Sequence, residues 1–451
     1  MKHLNLDLSL SLNESGVAGI SVKELDRYSG DLKSANKIFS TYATKPAFLR
    51  ILEQNAEIPS TGLGAGAETK RVAKYIRAHF KSLIVIGIGG SDLGARAALQ
   101  ALESSTDDFP IYFCGDTTDP APLNKLLKTV DLKTAAINVV SKSGETIETL
   151  SAFLIIKERL KKIAGAKYSK QIFATTSPTS GLLKTMAEIE GYQIIPHMPV
   201  GGRFSVLSSV AFLPMACAGI DISKMLQGGI EMAKKIDCNK ISENVPFAFA
   251  AVNHHLNTRR KQNILVLMPY SYNLIEFSKW FRQLWAESLG KKGVGQTPVA
   301  SLGPTDQHSQ LQLYQEGPID KIITFIKLGK WESLSIPNEV PLDAAYLSGT
   351  SLGKIVEEEL HSTAMALANH RRPSNVITLP ELNEHSLGQL FMFFELATAY
   401  SAELYKIDAY DQPGVELSKK YLHGALGKPS LRAELREREL KGEKIKKLII
   451  S

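Results

Sequence analysis

Cysteine is scarce in this 451-residue chain: there are three, Cys114, Cys217 and Cys238, an odd number at wide spacing. That count argues against a disulfide framework. With no paired Cys or His at metal-ligand spacing it also argues against a zinc site, and it suits a reducing compartment. Long apolar runs are missing too, since none reaches the roughly 18 residues of a membrane-spanning helix. The start, Met1-Lys2-His3-Leu4-Asn5-Leu6-Asp7, breaks its apolar residues with polar ones and shows no signal-peptide core. The expectation is a cytoplasmic protein with no membrane partner. There is no G-x-S-x-G elbow for a Ser/His/Asp hydrolase and no Gly-Lys-Ser/Thr phosphate loop.

What is present is a body-building composition. Hydrophobic residues make up 44% of the chain, enough to exclude disorder as its main theme, and the length allows two or three domains. The net charge of +7 is unevenly spread. Residues 428–451 carry eight Lys/Arg against four Glu, leaving an excess of only three positive charges for the rest. A basic tail on a near-neutral body is weak support for a nucleic-acid partner, and none is expected; small anionic substrates fit the balance.

The chain repeats one grammar: an apolar, β-rich run, a Gly/Ser/Thr turn, then a helical pattern. Leu83-Ile84-Val85-Ile86 leads into Gly87-Ile88-Gly89-Gly90-Ser91 and a helix through Leu102. Ala136-Ile137-Asn138-Val139-Val140 leads into Ser141-Lys142-Ser143-Gly144 and a helix through Leu160. Further strands are predicted at 172–176 and 192–195. The grammar restarts at 263–268, with strands at 297–300, 322–326 and 376–379. Continuous apolar strands alternating with helices predict parallel sheets covered on both faces. The fold class is therefore α/β, with two doubly wound parallel-sheet domains at 65–215 and 256–410. A helical segment, 1–64, precedes them, and 216–255 reads as a helical connection. The stretch 411–451 holds a turn, a helix and the basic tail. A helix from Leu387 to Lys406 is apolar nearly all round and is predicted to be buried.

In open parallel sheets ligands bind beyond the C-terminal strand ends, so the residues there are the ones to question. Gly87-Ile88-Gly89-Gly90-Ser91-Asp92 fails as a dinucleotide fingerprint, because the third glycine would fall on Asp92. It reads either as a close-approach turn offering Ser91 to a ligand or as a glycine turn capped by Ser91 or Asp92. Ser141, Lys142, Ser143 and Thr146 put three hydroxyls and an ammonium at a helix start. Exposed N–H groups and the helix dipole favour a phosphomonoester there. Arg203, in Gly201-Gly202-Arg203-Phe204-Ser205, is a permanent cation at a turn whose glycines permit close approach; it could face a developing oxyanion or be a structural arginine. Gln283 and Glu287 lie four apart and share a helix face, with Glu287 in the last turn before Gly290 as a candidate general base. His308 follows a predicted strand, and its imidazole can trade protons near neutrality. The Pro413-Gly414 turn would aim Gln412 and Lys419 at something specific. One base, one imidazole, one arginine and a phosphate cradle suggest cofactor-free, metal-free proton shuffling on a phosphorylated small molecule.

In this order, from about Gly87 to Lys419, these five motifs resemble the glucose-6-phosphate isomerase family. Gly201-Gly202-Arg203-Phe204-Ser205 and Tyr410-Asp411-Gln412-Pro413-Gly414-Val415-Glu416-Leu417-Ser418-Lys419 are the most specific. The resemblance implies two sugar-isomerase (SIS-type) domains, a sugar-phosphate substrate and no cofactor. It also implies a homodimer in which each chain lends a histidine, His308 here, to its partner's site. Carried onto this sequence, it implies that Glu287 moves a proton between C1 and C2 and that Arg203 faces the enediolate. His308 and Lys419 would handle ring opening, and Gln283 and Gln412 would place the sugar. Gly90, Ser91, Ser141, Lys142, Ser143 and Thr146 would surround the phosphate and substrate. Met198, Ala211, Glu145 and Pro413 depart from the family pattern, Glu145 standing where a threonine is common beside the cradle. A catalytically silent sugar-phosphate sensor is the alternative, and retention of Glu287, Arg203, His308 and Lys419 speaks against it.

Overall fold

The computed structural model describes residues 3–56, 65–103, 108–443 and 445. Lys444, Lys446 and Lys447 of the basic tail, and residues 57–64 at the expected first boundary, lie outside the described residues. Among the described residues ten strands form two five-stranded sheets: β1 (Asn5–Asp7), β2 (Ser82–Ile86), β3 (Ile111–Cys114), β4 (Ala135–Val140), β5 (Ile172–Thr176), β6 (Gln193–Pro196), β7 (Ile264–Pro269), β8 (Thr297–Ala300), β9 (Lys321–Leu328) and β10 (Ser374–Leu379). The first sheet runs β3-β2-β4-β5-β6 and is parallel throughout. The second runs β1-β10-β9-β7-β8, parallel except for β1, which pairs antiparallel with β10.

The apolar runs become strands because helices cover both faces, so β2 and β4 are buried at every position. Two strands escaped the sequence reading. Asn5–Asp7 alternates polar and apolar over three residues, too short to register, and exists only because β10 offers an unpaired edge. Ile111–Cys114 lies at the edge of the first sheet and is only partly buried along most of its length, so it lacks the signature of an interior strand.

In the first sheet the chain starts at β2, steps out to β3, then crosses back to β4 on the other side. That reversal opens a crevice at the C-terminal ends of β2 and β4, where doubly wound sheets bind ligands. The helix Ile275–Leu289, which follows β7 of the second sheet, packs against the helix Leu93–Ala101 of the first. The second sheet's helix is thereby carried to the edge of the first sheet's crevice.

The helix Glu384–Tyr405 is the expected buried helix, enclosed by Ile222–Ala233, Val245–Arg260 and Ile275–Leu289. Inside it Glu395 is 1% exposed, and its Oε1 has no hydrogen-bond partner among the described residues. Burial pushes its carboxyl well above the usual carboxylate range. The folded state then holds the carboxyl proton more tightly than the unfolded chain. Stability from this position is undiminished below the free-carboxylate range and is lost as pH rises above it, by about 1.4 kcal/mol per pH unit until the folded group ionises. Glu395→Gln is expected to remove that penalty. In denaturant titrations the variant should exceed the wild type at pH 8, with the gap closing towards pH 5; a pH-independent gap would contradict it.

Candidate active site

A cleft of about 970 Å³ opens at the crevice between the ends of β2 and β4. Eleven of the twelve residues singled out in the sequence line it: Gly90 and Ser91; Ser141, Lys142, Ser143 and Thr146; Arg203; Gln283 and Glu287; Gln412 and Lys419. His308 does not. It sits exposed after the cis Gly303-Pro304 bond, at the end of the short turn Thr305–Gln307.

The turn after β2 approaches another backbone, as the glycines suggested. A Cβ on Gly90 would stand 2.1 Å from the Gly202 carbonyl carbon, so the two glycine motifs are packed backbone to backbone. The capping alternative is not what forms: neither Ser91 nor Asp92 caps the Leu93–Ala101 helix by its side chain. Asp92 turns instead to Arg96, with Nε donating to Oδ2 at 2.7 Å, and burial pushes its carboxyl up to about 6. Arg96 also reaches Asp116 and lies over the Phe113 ring, which braces the turn from behind. Ser91 itself lines the cleft.

The turn after β4 has its amides arranged first and its hydroxyls left over. The Gly144 N–H donates to Ser141 Oγ at 3.0 Å, and the Glu145 N–H donates to Ser143 Oγ at 3.2 Å. Each hydroxyl oxygen accepts from the backbone, so its own proton remains for an anion. Thr146 is the N-cap residue of the helix Ile147–Ala164 without making a side-chain cap bond. Three hydroxyls, the positive end of an 18-residue helix and Lys142 form a cradle that could seat an anion. Gly144 has φ +77°, and a Cβ there would meet the Leu183 N at 2.3 Å, so the turn admits glycine alone. Glu145 points away to Lys428, whose Nζ donates to Oε2 at 2.9 Å, and this cation holds the carboxyl below its usual range. The departure at Glu145 thus brings a carboxylate whose charge is matched by a lysine 283 residues away.

At the other end of the cleft Arg203 is 2% exposed, and four of its five N–H donors are engaged. Its Nε donates to Ser288 Oγ at 2.7 Å, Nη1 to Gln412 Oε1, and Nη2 to the carbonyls of Ala409 and Asp411. Burial lowers its pKa from the arginine range, while Glu287, Asp411 and Asp408 oppose that. Glu287 Oε1 lies 3.7 Å from Nη1, and Gln283 Nε2 donates to Glu287 Oε2 at 3.0 Å. The helix turn spacing read from the sequence therefore places amide and carboxylate side by side, with the guanidinium across from them. Lys419, exposed on the helix Glu416–Ala425, pairs with Glu416 at 3.0 Å at the rim. The cleft can hold a phosphate at one end and present a carboxylate and a buried cation at the other.

The sequence reading missed His197, Ser177, Ser180 and Tyr410, which share the cleft wall. His197 directly follows β6, so the rule that directs attention to strand ends would have found it. Among the described residues no group of three or more His, Cys, Asp or Glu could hold a metal ion, and no helix is long and apolar enough to cross a membrane.

Two doubly wound parallel sheets with a hydroxyl-lined anion cradle at a strand-order reversal are the architecture of the SIS-type sugar isomerases. The crystal structure of a glucose-6-phosphate isomerase from Chlamydia trachomatis shares this fold, with a TM-score of 0.79 at 21% identity over 98% of this chain and 92% of that one. The chain belongs to the phosphoglucose isomerase family, whose model matches residues 67–438. A relative from Methanococcus maripaludis, described as a probable glucose-6-phosphate isomerase, is 41% identical over 77% of this chain and 79% of its own. A glucose-6-phosphate isomerase of Carboxydothermus hydrogenoformans is 38% identical over 85% of this chain and 87% of its own.

Proposed function

We propose that this protein interconverts D-glucose 6-phosphate and D-fructose 6-phosphate as an aldose–ketose isomerase of glycolysis and gluconeogenesis. The observation that carries the reading is the Gln283–Glu287–Arg203 cluster facing the hydroxyl cradle of 141–146 across one cleft. The cradle and Lys142 hold the phosphate, far from the reacting carbons, so its binding energy positions them. Lys419 and His308 of the partner subunit open the ring by moving a proton between the C1 hydroxyl and the ring oxygen. Glu287 then takes the C2 proton, leaving a cis-enediolate whose negative charge faces Arg203. The same proton returns to C1 as the O2 proton passes to O1, giving the ketose. Arg203 suits its place because a guanidinium stays charged and does not compete for the proton. The protein would act in the cytosol, which suits its three free cysteines.

Turnover of fructose 6-phosphate to glucose 6-phosphate, followed through a coupled dehydrogenase without added metal, tests the reaction. Sugar-phosphate binding with no turnover would instead indicate the sensor.

The shared site is the part of the proposal supported by the exposure of His308 and by its not being among the residues that line its own cleft. Glu287→Gln and His308→Ala dimers, each inactive, are expected to recover activity when mixed under subunit exchange. Random pairing restores one site in four, so recovery should approach roughly a quarter of wild-type activity. No recovery despite proven exchange would discard the shared site.

A further inference from the structure

We propose that His197 contacts the substrate and selects it, accepting on Nε2 a hydrogen bond from a hydroxyl of the sugar chain between the phosphate cradle and the reacting carbons. This rests on the sugar-phosphate reading of the cleft.

The backbone fixes the ring first. His197 leaves the end of β6, and its N–H donates to the Thr176 carbonyl at the end of β5 at 2.8 Å, so the residue is tied to the sheet. It is 3% exposed, yet it lines the cleft together with Lys142, Ser177 and Arg203. Its Nδ1 lies 2.8 Å from the Met198 carbonyl oxygen. A carbonyl can only accept, so Nδ1 carries the ring proton, and in a neutral imidazole the lone pair is then on Nε2. The same Met198 carbonyl accepts from the Val200 N–H at 2.7 Å, so ring orientation and the entry to the Gly201–Arg203 turn share one anchor.

Burial lowers the pKa of His197 against the opposing Met198 hydrogen bond, and the Lys142 ammonium adds to the lowering, so the surroundings favour the neutral ring. No described residue hydrogen-bonds Nε2. A lone pair there repels a phosphate oxygen and attracts an O–H, which assigns this wall to a hydroxyl and leaves the phosphate to the donors at 141–146. Nε2 is not among the buried atoms left without a partner, so it opens on the cleft; a bound analogue lacking the matching hydroxyl would cover it and leave it unpaired.

Two variants and one spectroscopic measurement test this. His197→Phe fills the space without an acceptor and is expected to raise KM for fructose 6-phosphate by roughly 5- to 50-fold, with kcat changed far less. His197→Gln, which supplies an amide oxygen, should recover most of that loss. An unchanged KM in His197→Phe, or an equal loss in both variants, would overturn the proposal. In the wild-type protein, the ¹⁵N resonance of His197 Nε2 should move upfield from the bare lone-pair position when fructose 6-phosphate is added. A stationary resonance at saturating ligand would overturn it without recourse to any variant. Failure of the wild type to turn over fructose 6-phosphate would strike at the isomerase reading alone, since the resonance shift reads binding.

Discussion

Glu287→Gln is expected to lower kcat for fructose 6-phosphate by about 10³- to 10⁴-fold, at the upper end of what a positioned general base supplies. The substitution is close to isosteric. Gln283 Nε2 donates to Glu287 Oε2 at 3.0 Å, and an amide oxygen can accept that bond, so the helix face and the cleft should keep their shape. What is lost is the group that can hold the C2 proton. KM should therefore change little, and the fall should appear equally in kcat and kcat/KM, the pattern of an interaction made at the transition state. Exchange of the substrate's C2 hydrogen with solvent gives a second readout, and it should fall with turnover. Equal activity in variant and wild type would keep the reaction and discard Glu287 as its base.

Arg203→Lys is expected to cost about 10²- to 10³-fold in kcat, the scale of removing one preorganised donor from a developing oxyanion. Charge is retained, so a smaller effect would follow if charge alone mattered. The guanidinium, however, divides its donors among Ser288, Gln412 and the carbonyls of Ala409 and Asp411 while facing Glu287. An ammonium has three donors and no fixed fork, so some of these acceptors lose their partner. Each buried group left unpaired costs about 1–3 kcal/mol, so the variant should also melt earlier. Transition-state stabilisation separates from loosened packing by comparing ligands. A planar, anionic mimic of the enediolate should lose far more affinity than fructose 6-phosphate does. Parallel losses for both ligands would mean that Arg203 supports the cleft without acting on the charge.

Both variants probe residues whose types were legible from local sequence, though their meeting was not. Gln283 and Glu287 are one helical turn apart, so a shared face follows from the 3.6-residue period alone. Arg203 sits 84 positions from Glu287, and nothing local says that they face one another. The structure closes that distance through the packing of Ile275–Leu289 on Leu93–Ala101, which joins the two sheets. The pairing of Glu145 with Lys428 is of the same kind: a carboxylate just before the helix N-cap, which locally would oppose an anion, is matched from the far end of the chain.

By itself the sequence determined the alternation of strand and helix, because apolar period and turn chemistry act between near neighbours. It also determined the hydroxyl cradle, whose parts lie within six residues, 141–146, and the buried helix, whose apolar circumference is written into a continuous stretch. Tertiary structure alone decided that Asn5–Asp7 is a strand, since three residues gain order only by filling an edge that β10 leaves open. The strand-end position marks His197 as a candidate and its tautomer is set by the adjacent Met198 carbonyl, but only the packing of the cleft shows which residues share its wall. His308 is not among the residues that line the cleft of its own chain. Contacts between distant segments depend on how whole layers stack, and no local period encodes them.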